Sequence, residues 1–158
     1  MRIGAEIAAF VTRRRGREVL LLHRAPAQGG YWHVVAGAIE PGENAPQAAI
    51  EPGENAPQAA KRELHEETGL EAAVFGGLEV TEWADAVTGK PVERPSSDDG
   101  SWIGMRATCF SVTAADDWEP TLDWEHDGHR WCSPTEAFQA LRWRGTAQAL
   151  RKLTAIEP

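Results

Sequence analysis

The sequence has few cysteines and no long apolar run. Its two cysteines, Cys109 and Cys132, stand in dissimilar segments without CxxC spacing. We therefore expect buried free thiols rather than a disulfide framework. Since no apolar run approaches the roughly 20 residues of a transmembrane helix, the sequence also predicts a protein without a membrane-spanning segment.

Basic residues are outnumbered by acidic ones. The chain has 16 Lys and Arg against 24 Asp and Glu, which gives a formal net charge of -8. Nucleic-acid scaffolds hold phosphate with clustered Lys and Arg, so that function is not expected. An acidic protein still binds small phosphate compounds when metal cations lie between its carboxylates and the ligand.

The N-terminal region lacks the order of a secretory signal. Its basic cluster, residues 13–15, follows the first apolar residues, whereas a signal peptide places its basic residues first. We therefore expect a cytoplasmic protein.

The sequence does contain the mixture of strands and helices that is typical of one α/β domain. Its 158 residues, 42% hydrophobic and 25% charged, fit a single globular domain over residues 1–158. Strands are expected at residues 3–11, 18–24, 31–36, 102–112 and 128–132, and one or two strands interrupted by Gly76 and Gly77 are expected at residues 71–83. Helices are expected at residues 57–68, 133–141 and 145–154, and a polar loop at residues 85–100. Apolar alternation predicts the strands, and capping residues mark the helix ends. These elements predict an α/β sandwich.

One segment of the chain occurs twice in succession. Residues 39–49 read IEPGENAPQAA, and residues 50–60 repeat the same eleven letters before the chain continues as KRELHEETGL. The residues after the second copy decide whether the repeat belongs to a working site.

Three carboxylates come after the repeat at helical spacing. Positions i, i+3 and i+4 share one face of an α-helix, so Glu63, Glu66 and Glu67 lie within one turn. A solvated acidic face is one interpretation of this pattern. The other is a site for a hard cation such as Mg²⁺ or Mn²⁺, which takes oxygen ligands and brings substrate phosphates with it.

The residues around these carboxylates resemble the Nudix box. The box reads Gly, five residues, Glu, seven residues, then Arg-Glu-aliphatic-x-Glu-Glu-x-Gly-aliphatic, and residues 62–70 match its second half. Gly37 is followed after five residues by Glu43, and Glu54 is followed after seven by Arg62. The chain is thus identified as a member of the Nudix hydrolase superfamily, similar to bacterial MutT-type proteins and especially to the dATP (dihydroneopterin triphosphate) pyrophosphohydrolase group.

This resemblance implies a fold, a reaction and a set of residues. It implies an α/β/α sandwich with a mixed sheet, and hydrolysis of a nucleoside diphosphate linked to another group, with Mg²⁺ or Mn²⁺ as cofactor. The implied metal ligands are the three box carboxylates and the Gly37 carbonyl. Glu63 or a carboxylate on a later loop would orient or deprotonate the attacking water, and Arg62 would pair with Glu54 to hold the helix against the loop.

Three residues outside the box are further candidates for substrate binding. Arg24 ends a strand that faces the phosphates in similar proteins, although a strand-end Arg is as often only solvated. Trp32 and its neighbour Tyr31 are expected either to stack on a base or to pack in the core.

The segment DWEHDGH, residues 123–129, supplies the later-loop candidate. Glu125 is our choice for the carboxylate that assists the water. His126 and His129 are too isolated for a zinc site, so a hydrogen-bonded or exposed role is expected for both.

The repeat separates the two halves of the box by eleven extra residues. A continuous helix through the second copy would place Pro52 and Gly53 at interior helical positions, which costs about 4 kcal/mol. A longer loop costs only about 1 kcal/mol in chain-closure entropy. We therefore predict that the helix starts near Ala56 or Pro57 and that residues 38–54 form an extended loop.

Three functions remain open on the sequence alone. The leading one is a metal-dependent (d)NTP pyrophosphohydrolase, a monomer or homodimer that binds a nucleoside polyphosphate and yields the monophosphate and pyrophosphate. Hydrolysis of ADP-ribose, a dinucleoside polyphosphate or a nucleotide sugar is the alternative within the same enzyme class. A nucleotide-binding protein whose split box has abolished catalysis is the third.

Deletion of residues 39–49 tests whether the repeat is a tolerated insertion. The deletion restores the spacing of the box, so we expect pyrophosphate release to be unchanged or faster. If activity disappears instead, the insertion is an adapted part of the site.

Overall fold

The central strand of the fold is buried on both faces because its apolar residues run without interruption. In this computed structural model, which describes residues 3–37, 55–93 and 100–154, Ile7, Ala8, Ala9, Phe10 and Val11 are all at most 1% exposed. The strands are β1 (Ile3–Arg13), β2 (Glu18–Arg24), β3 (Trp32–His33), β4 (Val35–Gly37), β5 (Phe75–Asp85), β6 (Pro91–Val92), β7 (Trp102–Thr113) and β8 (His126–Cys132), and the helices are α1 (Ala56–Thr68), α2 (Pro134–Ala140) and α3 (Arg144–Leu153).

The strands form one mixed sheet. Its order is β3-β2-β1-β7-β5-β6, with β4 also paired to β1 and β8 also paired to β2. β1 and β7 run parallel, whereas the other pairs are antiparallel. Alternation along β1 then sends successive side chains to opposite faces of the sheet.

The helices cover both faces. α1 packs against the face that carries Ile7 and Ala9, through Ala59, Ala60 and Leu64. α2 and α3 pack against the opposite face, where their buried residues Ala137, Leu141, Ala147, Ala149 and Leu150 join Ala8 and Phe10. This is a helix–sheet–helix sandwich, and no helix of the described segments is long and apolar enough to cross a membrane.

α1 begins inside the second copy of the repeat. Asn55 is its N-cap and accepts a hydrogen bond from the backbone N–H of Gln58, whose side chain accepts one from Asn55 N–H. Gly69 ends the helix with φ of 80°, a left-handed conformation that glycine adopts without strain. The predicted start near Ala56 is therefore confirmed.

The predicted strand at residues 31–36 is wrong, because it consists of two short strands. β3 pairs with β2, where Leu22 faces His33, whereas β4 pairs with β1, where Ile7 faces Gly37. At Val34 the chain changes its strand-pairing partner from β2 to β1. No periodicity in the sequence indicates this change.

Two other boundaries also differ from the prediction. β5 starts at Phe75 instead of residue 71 and has a register shift between Gly76 and Leu78. The predicted polar loop at residues 85–100 contains β6, which pairs with the end of β5. The predicted extended loop at residues 38–54, with Glu43 and Glu54, lies outside the described residues.

Candidate active site

The carboxyl groups of Glu63 and Glu67 are in hydrogen-bond contact one turn apart on α1. Glu67 is 3% exposed, and its Oε1 accepts a hydrogen bond from the backbone N–H of Ala36 at 3.4 Å. Glu63 is half-buried. α1 therefore presents two of its three box carboxylates to the end of β4.

Burial makes this pair resist full ionisation. Burial raises the pKa of Glu67 well above its ordinary value, and the neighbouring Glu63 raises it further, while the Ala36 N–H opposes the change. Burial also raises the pKa of Glu63, against hydrogen bonds from Glu67 and Arg62 that lower it. Two carboxylates in contact repel each other unless a proton or a cation lies between them, so the pair is suited to take up positive charge.

Gly37 lies directly against Glu63. A Cβ atom added at this position would stand 2.7 Å from Glu63 Oε1, closer than real Cβ contacts allow. A larger residue at this position would displace the Glu63 carboxylate from its place beside the end of β4. Although the repeat lies between them in sequence, Gly37 and Glu63 are neighbours in the structure.

Arg62 and the third box carboxylate lie at the rim of this pair. Arg62 Nη1 is 2.9 Å from Glu63 Oε1 and 3.5 Å from Glu66 Oε2. The Glu66 side chain is 54% exposed. Arg62 therefore links an inner and an outer carboxylate, while its predicted partner Glu54 lies outside the described residues.

The start of β8 lies behind Glu67. His126 is buried, with Nδ1 2.7 Å from Asp123 Oδ1 and Nε2 3.6 Å from Glu67 Oε1. Glu125 is partly buried, and its backbone carbonyl accepts a hydrogen bond from Ala25 N–H at 2.8 Å. His129 stays on the exposed side of β8, 3.7 Å from Glu119.

The residues present fit a divalent cation such as Mg²⁺ or Mn²⁺. Within the described segments no group of three or more His, Cys, Asp or Glu side chains forms a ready-made cluster. Mg²⁺, however, usually keeps several waters and binds through one or two carboxylates together with substrate phosphates. The Glu63–Glu67 pair and the neighbouring Gly37 offer oxygens of that kind.

A cavity of about 270 Å³ has Ala36 in its wall. The backbone N–H of Ala36 contacts Glu67, so one residue separates the cavity from the carboxylate pair. Its other walls include the following side chains: Glu6, Arg24, Tyr31, His33, Glu82 and Trp143.

The two predicted substrate-binding residues differ in position. Arg24 lines the cavity, and its Nε donates a hydrogen bond to the Gln28 carbonyl at 2.9 Å. Trp32 instead packs against the core beneath α2 and α3, with the Arg130 guanidinium 5.1 Å from its ring. Of the two aromatic candidates, only Tyr31 is among the residues that line the cavity.

Glu6 and Glu82 were not among the predicted site residues, although the sequence carries a signal for both. Each alternates with apolar residues, Glu6 with Ala8 and Glu82 with Val80 and Ala84, so each points to a covered face. Burial and then the nearby Glu82 raise the pKa of Glu6 to about 8, against the effect of Arg24. Burial raises the pKa of Glu82 to about 6, opposed by the backbone N–H of Thr146.

Comparison with known proteins gives a family match in two segments. The model of the NUDIX domain matches residues 3–50 and 49–153, and the break falls at the junction of the two repeat copies. The CTP pyrophosphohydrolase of Escherichia coli (strain K12) is 31% identical over 138 residues, which cover 85% of this chain and 79% of that protein.

A second relative is much longer than this chain. The octanoyltransferase of Myxococcus xanthus is 29% identical over 153 residues, which cover 94% of this chain but 36% of that protein. The chain thus spans about a third of this relative's length.

Solved structures share the fold. The E. coli dihydroneopterin triphosphate pyrophosphohydrolase superposes with a TM-score of 0.67 at 18% identity, covering 97% of this chain and 96% of its own. The predicted α/β/α sandwich with a mixed sheet is confirmed by this likeness.

Replacement of Glu6 by Gln tests the raised pKa of this cavity residue. Between pH 4.5 and about 8, the folded protein keeps a proton that the unfolded chain has lost, so stability falls as pH rises. The charge on Glu6 should lower the free energy of unfolding of the unmodified protein by on the order of 3 to 5 kcal/mol as pH rises. We expect Glu6→Gln not to show this decrease. Denaturant unfolding at pH 5 and pH 9 measures the difference.

The matched control for this measurement is Glu79→Gln, which changes an exposed glutamate on β5. It should reproduce the pH dependence of the unmodified protein. Equal pH dependence in Glu6→Gln and the unmodified protein would contradict the raised pKa.

Proposed function

The chain belongs to the Nudix family, and we propose on this basis that it is a divalent-metal-dependent nucleoside triphosphate pyrophosphohydrolase. The family confirms the predicted class of this domain, a hydrolase of phosphorus-containing anhydrides. The observation that carries the finer proposal is that Ala36 lines the cavity and that its backbone N–H contacts Glu67 of the carboxylate pair. A nucleoside in the cavity would extend its phosphates toward Glu63 and Glu67.

The carboxylate pair is proposed as the cation site. Glu63, Glu67 and the Gly37 carbonyl would hold Mg²⁺ or Mn²⁺, with Glu66 reaching the site from the rim. When bound, such a cation neutralises charge that develops on the phosphates and lowers the pKa of a bound water. Arg62 keeps Glu63 and Glu66 together through its contacts at 2.9 and 3.5 Å.

We assign orientation of the substrate to the cavity walls. Arg24, held by its hydrogen bond to the Gln28 carbonyl, would contact phosphate with its guanidinium. Tyr31 and Trp143 offer flat aromatic surfaces for a base. Most of the catalytic effect in phosphoryl transfer comes from positioning and electrostatics. Positioning of the substrate by these contacts would therefore affect the rate as much as orientation of the water.

Glu63 is the residue we assign to orient or deprotonate the water. It stands between Arg62 and Glu67, and its side chain is 15% exposed, so a water molecule can reach it. Glu125, partly buried at the turn before β8, is the second candidate for this role.

The relatives support a nucleoside triphosphate more than the other substrates. The E. coli relative that this chain matches over most of its length is a CTP pyrophosphohydrolase. The proximity of Gly37 to Glu63 argues against a site that the repeat has taken apart, and so against the catalytically impaired alternative.

Glu63→Gln tests the assigned role of the water-orienting residue. The amide cannot accept a proton, so we expect kcat to fall by about 10²- to 10⁴-fold while nucleotide binding is retained. Pyrophosphate release with Mg²⁺ or Mn²⁺ is measured across CTP, dATP, ADP-ribose and a dinucleoside polyphosphate.

Glu71→Gln, beyond the end of α1 with its side chain 83% exposed, is the control and should behave like the unmodified protein. Full activity in Glu63→Gln would remove this residue from the reaction. An unmodified protein that binds nucleotides and hydrolyses none of them would favour the impaired alternative.

A further inference from the structure

A buried histidine nitrogen points at Glu67 without a hydrogen-bond partner. The His126 side chain is 0% exposed, and its Nε2 is one of the few buried side-chain nitrogens in the described segments that lack such a partner. Nε2 lies 3.6 Å from Glu67 Oε1, just beyond hydrogen-bond length. An unpaired buried polar atom is costly unless it serves a purpose, so this nitrogen needs an explanation.

The other side of the imidazole ring is fixed. Nδ1 is 2.7 Å from Asp123 Oδ1, a hydrogen bond that sets the orientation of the ring. Since Asp123 accepts the Nδ1 proton, Nε2 is left to face Glu67. Nε2 and Oε1 can act as a donor–acceptor pair across this contact.

The backbone holds this histidine in place independently of its side chain. Arg24 on β2 faces His126 on β8 in the strand register, and Ala25 N–H donates to the Glu125 carbonyl at 2.8 Å. Ahead of β8, Thr121 N–H donates to the carbonyl of Thr68, the last residue of α1, at 2.8 Å. The segment that carries Asp123 and His126 is thus tied both to the sheet and to the carboxylate helix.

Glu67 Oε1 is therefore held from two sides. The Ala36 N–H approaches it from β4 at 3.4 Å, and His126 approaches it from β8 at 3.6 Å. Glu67 itself is almost fully buried, and its carboxyl group also contacts that of Glu63. A carboxylate that binds a cation needs such support, because its ligand geometry depends on the groups behind it.

We propose that His126 is a positioning residue, anchored by Asp123, that fixes the carboxylate of Glu67 in the orientation required by the divalent cation. The inference rests on the proposed function, since it takes the Glu63–Glu67 pair as the cation site. Loss of a supporting residue of this kind lowers metal affinity or activity by about 10- to 100-fold. His126 itself contacts neither the cation nor the substrate in this account.

Mn²⁺ binding to the nucleotide-free protein tests the inference without turnover. Bound and free Mn²⁺ are separated by electron paramagnetic resonance for the unmodified protein, His126→Leu and His126→Gln. We expect His126→Leu to bind Mn²⁺ about 10- to 100-fold more weakly. His126→Gln retains a nitrogen donor near the position of Nε2 and should recover most of the affinity.

His129→Leu is the matched control. It removes a second histidine from the same strand, whose side chain is 32% exposed and 3.7 Å from Glu119 instead of a box carboxylate, and it should bind Mn²⁺ like the unmodified protein. Asp123→Asn is the second variant, which keeps His126 but weakens its anchor, and it should also lower Mn²⁺ affinity. It decides the question if His126→Leu does not fold.

Kinetics give a readout that a purely structural role would not move. In His126→Leu, the Mg²⁺ concentration for half-maximal rate should rise about 10-fold or more, whereas KM for the nucleotide at saturating Mg²⁺ should stay close to that of the unmodified protein. The inference is overturned if His126→Leu loses thermal stability but keeps both its Mn²⁺ affinity and its Mg²⁺ concentration for half-maximal rate.

The outcomes separate this inference from the proposed function. If the unmodified protein binds Mn²⁺ and hydrolyses no nucleotide, weaker Mn²⁺ binding in His126→Leu still supports the positioning role while the proposed function fails. If the unmodified protein is active and folded His126→Leu binds Mn²⁺ equally well, the positioning role is overturned and the proposed function stands. An unmodified protein that binds no Mn²⁺ overturns the inference.

Discussion

The contact between the carboxyl groups of Glu63 and Glu67 is the constraint on which the rest of this site depends. Two acidic groups in hydrogen-bond contact, one of them 3% exposed, are stable only when a proton or a cation compensates their charge. The surrounding groups fit that requirement: a backbone N–H from Ala36 and a ring nitrogen from His126 face Glu67, and Arg62 faces Glu63. The site is thus a place where positive charge is favoured, which is what the proposed cation site requires.

The fold holds this contact from two sides, and neither of them depends on the first copy of the repeated segment. β4 is fixed by its pairing with β1, where Gly37 faces Ile7, and its last glycine leaves space for the Glu63 carboxylate. α1 is fixed by its Asn55 cap and by its buried apolar stripe. Because each element has its own anchor, extra residues between them need not move the carboxylates, and this explains how a split sequence motif keeps Gly37 beside Glu63.

Much of this arrangement could be predicted from the sequence. The features that could not be predicted have a common cause. The start and end of α1 follow from local signals, Pro57 and Gly69, and both predictions are confirmed. The division of residues 31–36 into two strands depends on a change of pairing partner, which has no local signal. For the same reason, the meeting of Glu6 with Glu82, and of His126 with Glu67, could not be predicted, since strand pairing over long sequence separations brings these residues together.

The central claim is that the Glu63–Glu67 pair beside Gly37 is the cation site, and the location of a bound ion tests it most directly. Crystals grown with Mn²⁺, and measured for anomalous scattering near the manganese edge, would locate the ion without assumptions about turnover. The account predicts an anomalous peak in contact with carboxylate oxygens of both Glu63 and Glu67 and with the Gly37 carbonyl. A peak at another place, with the two carboxyl groups still in contact with each other, would contradict it.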